Sequence, residues 1–305
     1  MKKFIILLIL GFTAMGAVIL MQKDRQSSGK VTNRISVVTS FYPLYFFARE
    51  IVGDKANVVN ITPAGAEPHD YELSTRDLAD IEQADALVVN GDMEPWVDEV
   101  TQNLKGKDVK VIVAGSSLMN LTEIEEGETH ADPHIWLDPV KAKGLANAIA
   151  DGLKAADPEN GSFYEMRKIA LEEKLDALDE LYREGLTSCR IRDFVTSHSA
   201  FSYLATRYNL SQVPITGLSP EDEPSAKQLA VVAKFSKDNG VKYIFFETLV
   251  SPKLSETIAN EVGAKTLVLD PIEGVSDDDS AAGKNYFSLM RENLENLQTA
   301  LECKP

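Results

Sequence analysis

The chain carries 305 residues, 44% of them apolar and 26% charged, the make-up of an ordinary globular protein long enough for two cores. A formal net charge of −16 argues against nucleic acid as a partner, because phosphate binding needs a basic face. The same charge does not oppose a cation.

At the amino terminus, Lys2 and Lys3 precede an apolar run from Phe4 to Met21, followed by a polar stretch from Gln22 to Lys30. That is the layout of an export signal, so residues 1–30 read as a signal peptide or a membrane anchor. The run is about as long as a short membrane span, for which roughly 18 residues suffice. Cleavage near Ala14–Ala17 or retention are both open. A lipid-anchored form needs a cysteine at the cleavage site, and none stands before Cys189.

Ile35–Thr39 reads as a buried strand and 42–52 as a helix. A second strand, 57–61, runs into the Gly- and Pro-marked loop from Pro63 to His69. Ser74 caps a helix ending near Ala84, and strands 86–90 and 109–113 flank a helix at 96–104. Short strands alternating with helices indicate parallel α/β units. Next comes Thr129–Pro139, THADPHIWLDP, with two of the four histidines. Pro133 between them keeps His130 and His134 from sharing a helical face. His134, followed by Ile135, Trp136 and Leu137, is the better anchored. Asp138 caps a helix with Pro139 at its first position.

From Phe163 to Tyr182 apolar residues recur at helical spacing without Gly or Pro until Gly185, one helix of roughly 35 Å that can join two halves. The second half repeats the style, with strands at 194–196, 213–217, 243–246 and 266–269. Helices are expected from Ser197-His198 to about 208, from Glu221–Pro224 to 238, over 252–262, and from 286 to 302, the last after an acidic loop at 277–283. The expected organisation is an α/β fold with an N-terminal lobe at 31–156, a linking helix at 157–187 and a C-terminal lobe at 188–305. Each lobe is a parallel sheet flanked by helices. Cys189 and Cys303 are expected to pair, tying the start of the second half to the last helix; so long a loop is worth about 4–5 kcal/mol in the chain-entropy model.

His69, His134 and His198 all fall just after a strand or just before a helix, where α/β sheets present ligand-binding loops. Asp270, at the end of the last strand, occupies the same kind of place. Two positions lie in each half, which implies a site in the cleft between them. Three imidazoles and one carboxylate form a nitrogen-rich set suited to Zn²⁺ and poor for Ca²⁺ or Mg²⁺. Four protein ligands leave no open position for water, which describes binding rather than catalysis. Glu247, at a strand end, can support a histidine or simply bond a loop, and Glu67 is close enough to His69 to be an alternative oxygen ligand.

From about Ile35 onward the chain resembles the metal-binding receptors of bacterial ABC importers, the cluster A-I solute-binding proteins. The matching stretches are GAEPHDYE around His69, DPHIWLDP around His134, TSHSAFSYL around His198, and FFETLVSPKLSETIANEVGAKTLVLDPIEG running past Asp270. The resemblance implies two α/β lobes joined by one long helix, and a metal held between them by His69, His134, His198 and Asp270. It implies an exported receptor, periplasmic or tethered to the outer face of the cytoplasmic membrane. Such a receptor is a monomer that passes its ion to the transmembrane subunit of an ABC permease. Members with histidine at the third ligand position, here His198, are zinc-type; manganese-type members carry glutamate, so manganese or iron is the alternative cargo. Zinc-type members often have a long histidine-rich loop before the second ligand. Here that loop is short and acidic, Glu123 to His130, able to collect metal weakly or simply to be a mobile solvated loop. A zinc hydrolase would need Asp270 off the metal and a base such as Glu247, and the chain has no HExxH motif; a surface adhesin is the remaining rival.

Overall fold

The computed structural model describes residues 34–125 and 127–304. The apolar amino-terminal run read as an export signal lies outside the described residues. Among the described residues, no helix is long and apolar enough to cross a membrane.

The first half builds β1 (Ile35–Thr39), α1 (Tyr42–Val52), β2 (Ala56–Asn60), α2 (Thr75–Gln83), β3 (Ala86–Val89), α3 (Val97–Asn103) and β4 (Lys110–Val113). Its strands form one parallel sheet in the order β2-β1-β3-β4. β3 is buried along its whole length, as a central strand covered on both faces should be. Where an acidic loop was expected, β5 (Thr122–Glu125) and β6 (Glu128–Ala131) pair as an antiparallel hairpin that sets Glu123 opposite His130.

A single 3-10 turn (Ile135–Leu137) leads into α4 (Pro139–Ala156). Asp138 caps that helix, accepting from the amides of Val140 at 2.9 Å and Lys141 at 3.4 Å, with Pro139 at the first position. The long helix α5 (Gly161–Thr187) has 27 residues, about 40 Å at the helical rise. It buries Tyr164, Leu171, Leu175, Leu178 and Tyr182. Arg167 donates to the Glu50 carbonyl of α1 at 2.8 Å, and the Tyr182 hydroxyl donates to the Met290 carbonyl at 2.6 Å. One helix thus touches elements from both halves.

The second half runs β7 (Asp193–Thr196), α6 (Ser202–Arg207), β8 (Ser211–Pro214), α7 (Ala226–Asp238), β9 (Tyr243–Phe246), α8 (Lys253–Val262), β10 (Lys265–Val268), α9 (Asp277–Ala281) and α10 (Tyr286–Ala300). Its sheet is again parallel, in the order β10-β9-β7-β8. Numbered within its own half and read from the other edge, that is the order of the first sheet. Two α/β sheets of one topology, flanked by helices and joined by a long helix, make up the fold.

Three further segments differ from expectation. α6 begins at Ser202, because the backbone before it is already engaged: His198 N–H meets Glu247, Ser199 N–H meets the Gly217 carbonyl at 2.8 Å, and Phe201 N–H meets Gln212 at 3.0 Å. α7 begins after Ser225, whose hydroxyl caps it, so Glu221–Pro224 lies outside the helix. The acidic stretch after Ser276 is a short capped helix rather than a loop, its aspartates gathered at the positive end. Cys189 and Cys303 form a disulfide across a sequence separation of 114 residues.

Candidate metal centre

Each sheet delivers its polar groups from the loops that follow its strands, and four of these groups meet at one point. Nε2 of His69, His134 and His198 and a carboxylate oxygen of Glu273 all lie within 4.8 Å of one another. Nε2 of His134 is 3.2 Å from that of His69 and 3.2 Å from that of His198. Oε1 of Glu273 is 3.3 Å from His69, 3.2 Å from His134 and 3.4 Å from His198. Zinc–nitrogen bonds of about 2.0–2.1 Å would put tetrahedral neighbours roughly 3.3 Å apart. Five of the six donor–donor separations already match that spacing, and the sixth, between His69 and His198, lies within 4.8 Å. His134, His198 and Glu273 are buried, and His69 keeps 9% of its side chain exposed.

The other nitrogens of two imidazoles are held by buried carboxylates. Asp132 Oδ1 lies 2.9 Å from His134 Nδ1 and also accepts the His134 amide at 2.9 Å. Glu247 Oε1 lies 2.6 Å from His198 Nδ1 and accepts the His198 amide at 3.2 Å. A carboxylate behind each imidazole fixes ring orientation and leaves Nε2 free to face the centre. Glu67 turns back on its own loop, accepting the His69 amide at 3.0 Å. Its second oxygen and Glu273 Oε2 are buried without a hydrogen-bond partner.

The electrostatics follow from this crowding. Burial pulls the His134 imidazole down, but Asp132 and Glu273 outweigh it and hold it above its ordinary value. Burial opposes the His198 proton as well, and the charges of Glu247 and Glu273 overcome it, holding that ring well above. His69 is pulled down by burial, which outweighs the opposing pull of Glu273. Glu273 is ionised despite its burial, because His198 and the hydrogen bonds from the three rings hold it well below the usual range. Glu67 is pushed up to about 9, by burial first and by the Glu273 charge second.

Of the residues singled out in the sequence, the structure brings His69, His134 and His198 together and leaves Asp270 out. Asp270 follows β10 by two residues, and its oxygens are turned to local donors, the Ile272 amide at 2.7 Å and the Thr248 hydroxyl at 3.1 Å. Its backbone is fixed on both sides by Asn293, and burial pushes its carboxyl up to about 7. Glu273 takes the fourth place, delivered by a kink at Ile272, whose φ is 59°. A β-branched residue in the left-handed region costs roughly 1–3 kcal/mol and persists only where the surroundings over-determine it. A strand ending at Leu269 pointed to Asp270. The available signal for Glu273 was an acid set inside the apolar run Pro271–Val275. Asp132, two residues before His134, was likewise missed. His130 lies exposed on β6 beside a cavity of about 900 Å³ that also borders Glu123, Glu128, Asp222 and Glu223.

Residues 37–300 match the family model described as zinc-uptake complex component A, periplasmic, ZnuA. The chain is 42% identical over 287 residues to the zinc-binding lipoprotein AdcA of Streptococcus pneumoniae, covering 90% of this chain and 56% of that protein. The Zn(II)-bound crystal structure of that protein's ZnuA-like domain superposes with a TM-score of 0.77 at 42% identity, covering 88% of this chain and 100% of the domain. The high-affinity zinc uptake system protein ZnuA of Bacillus subtilis is 40% identical over 285 residues, 89% of each chain. The laminin binding protein Lmb of Streptococcus agalactiae, described as bifunctional with adhesin and metal transporting activity, superposes with a TM-score of 0.80 at 37% identity, covering 88% of this chain and 100% of that one. The chain spans 56% of the length of the AdcA proteins it matches. With nearly all of residues 35–304 inside the matched region and the relatives at this identity, the chain belongs to the ZnuA family of zinc-uptake components.

Proposed function

We propose that this chain is an exported receptor that captures Zn²⁺ through His69, His134, His198 and Glu273 and hands it to the transmembrane subunit of an ABC-type permease. The convergence of three imidazole nitrogens and one carboxylate oxygen within 4.8 Å carries this reading. The set is borderline-soft, which favours zinc over the harder manganese, and its dimensions fit a four-coordinate ion. Glu247 and Asp132 support the rings from behind. In this reading residues 31–156 and 188–305 act as the two lobes, 157–187 is the helix between them, and the receptor works as a monomer outside the cytoplasmic membrane.

The proteins of this family are solute receptors. Four protein donors would complete the coordination of zinc, leaving no position at which a water could be activated, so the site holds an ion without turning it over. The test is metal analysis of protein purified without chelators, followed by competition between Zn²⁺ and Mn²⁺. One zinc per chain, not displaced by excess manganese, is expected. Manganese retained against equimolar zinc would overturn the choice of cargo.

A further inference from the structure

The four donors reach the centre from separate segments, and two of those segments are joined by something other than the ion. Trp136 follows His134 by two residues, and Pro271 precedes Glu273 by two. The buried Trp136 indole Nε1–H donates to the Pro271 carbonyl at 2.7 Å. A closed circuit results: His134 to Trp136 along the chain, the indole bond to Pro271, Pro271 to Glu273 along the chain, and 3.2 Å back from Glu273 to His134. The second side of the circuit contains the Ile272 kink, which has to be held.

The geometry points to Trp136 as a positioning residue that sets the separation of His134 from Glu273 before any ion arrives. This rests on the four-donor reading above. Ring and backbone of Trp136 are each held, from opposite halves of the chain. Phe41, from the first half, packs edge-on to it at 4.9 Å, and the Tyr286 hydroxyl, from the second half, donates to the Trp136 carbonyl at 2.6 Å. The peptides around His134 are pinned in the same manner. Asn90 donates to the Pro133 carbonyl at 3.0 Å, and Tyr203 donates to the Asp132 carbonyl at 3.1 Å. With this segment fixed from both halves, the indole bond transmits its position to the loop that carries Glu273. The strap asks nothing of the metal, because an indole N–H only donates and a carbonyl only accepts. Preorganisation of this kind raises affinity by removing the cost of ordering the loop on capture.

The experiment is a double-mutant cycle between Trp136→Phe and Glu273→Gln, read as Zn²⁺ affinity by chelator competition and as Zn²⁺ dissociation rate. Phenylalanine keeps an aromatic ring and deletes the N–H. W136F is expected to weaken zinc by about 10-fold, the lower end of what an outer partner of a metal site contributes, chiefly through faster dissociation. In the E273Q background the same change is expected to have almost no effect. Equal weakening in both backgrounds, or none in either, would overturn the proposal. An E273Q protein that binds zinc as wild type does would instead overturn the four-donor reading beneath it. If W136F does not fold, the exchange measurement on the unaltered protein decides the proposal by itself. A separate readout needs no variant: in zinc-free protein the Trp136 indole N–H is expected to exchange with solvent far more slowly than that of the partly exposed Trp96. Equal exchange rates would show that the strap is not formed before the metal.

Discussion

Glu273 and Asp270 stand three residues apart and do opposite things with the same functional group. Glu273 sends a carboxylate oxygen to the three imidazoles, whereas Asp270 spends both oxygens on Ile272 and Thr248 and so shapes the bend that aims Glu273. Their substitutions should therefore separate. Glu273→Gln is expected to weaken zinc binding by more than about 100-fold, beyond the range typical of outer partners, with the fold intact by circular dichroism. Asp270→Ala leaves a buried amide and a hydroxyl without acceptors, so it is expected to lower stability by about 1–3 kcal/mol in denaturant titration. It should still bind one zinc per chain by calorimetry. A D270A protein that lost zinc stoichiometry while E273Q kept it would restore Asp270 to the fourth place. The same logic applies to Glu247 behind His198, where Glu247→Ala removes the acceptor for Nδ1. Affinity should fall roughly 10- to 100-fold, and Glu247→Gln, which can still accept, should recover part of it.

At the scale of elements, the hairpin β5–β6 stands apart from the centre. Its base is closed by the Asp132 amide on the Leu121 carbonyl at 3.0 Å, and its second strand carries the exposed Glu128 and His130. Deleting Glu123–His130 is expected to leave equilibrium zinc affinity where it was, measured by competition against a chelator. A large loss would place part of the site on the hairpin. The elements also show what sequence could and could not reveal. The start of α4 was readable because Asp138 and Pro139 act locally, through a cap and a preset φ. The three histidines were readable because strand ends recur in sequence order. The start of α6 was not, since His198, Ser199 and Phe201 are bonded to residues 11 to 49 positions away. Glu273 was not readable either: the Ile272 kink that delivers it is held by Asp270 locally and, in our proposal, by Trp136 from the other half of the chain. Periodicity carries no trace of such a contact.

For the whole molecule, the centre couples metal to protons. His134 and His198 are raised by their carboxylates, Glu67 to about 9 and Asp270 to about 7 by burial. All four hold more protons folded than unfolded, so their contribution to the metal-free fold is full at low pH and is lost as pH rises through the folded values. His69, lowered by burial, opposes them only across the ordinary histidine range, and Glu273 only in acid. Between pH 7 and 9 the metal-free protein is therefore expected to lose thermal stability as pH rises. Zinc must displace the protons of His134 and His198, so its affinity rises with pH. The gap in Tm between zinc-loaded and chelated protein should widen from pH 7 to 9 by differential scanning calorimetry. A gap that narrowed would contradict the protonation pattern.

The Cys189–Cys303 bond has a topological consequence. It makes everything from β7 to α10 a covalent ring, with His198 and Glu273 inside it and His69 and His134 on the tail. A backbone cut anywhere within the ring, for instance in the exposed Glu221–Glu223 stretch, opens the circle without releasing a fragment. Such a nicked molecule would run as one band without reductant and as two with it. In the exported role proposed above, that ring is what a protease would meet. For the half of the site inside it, a single cut leaves both pieces attached.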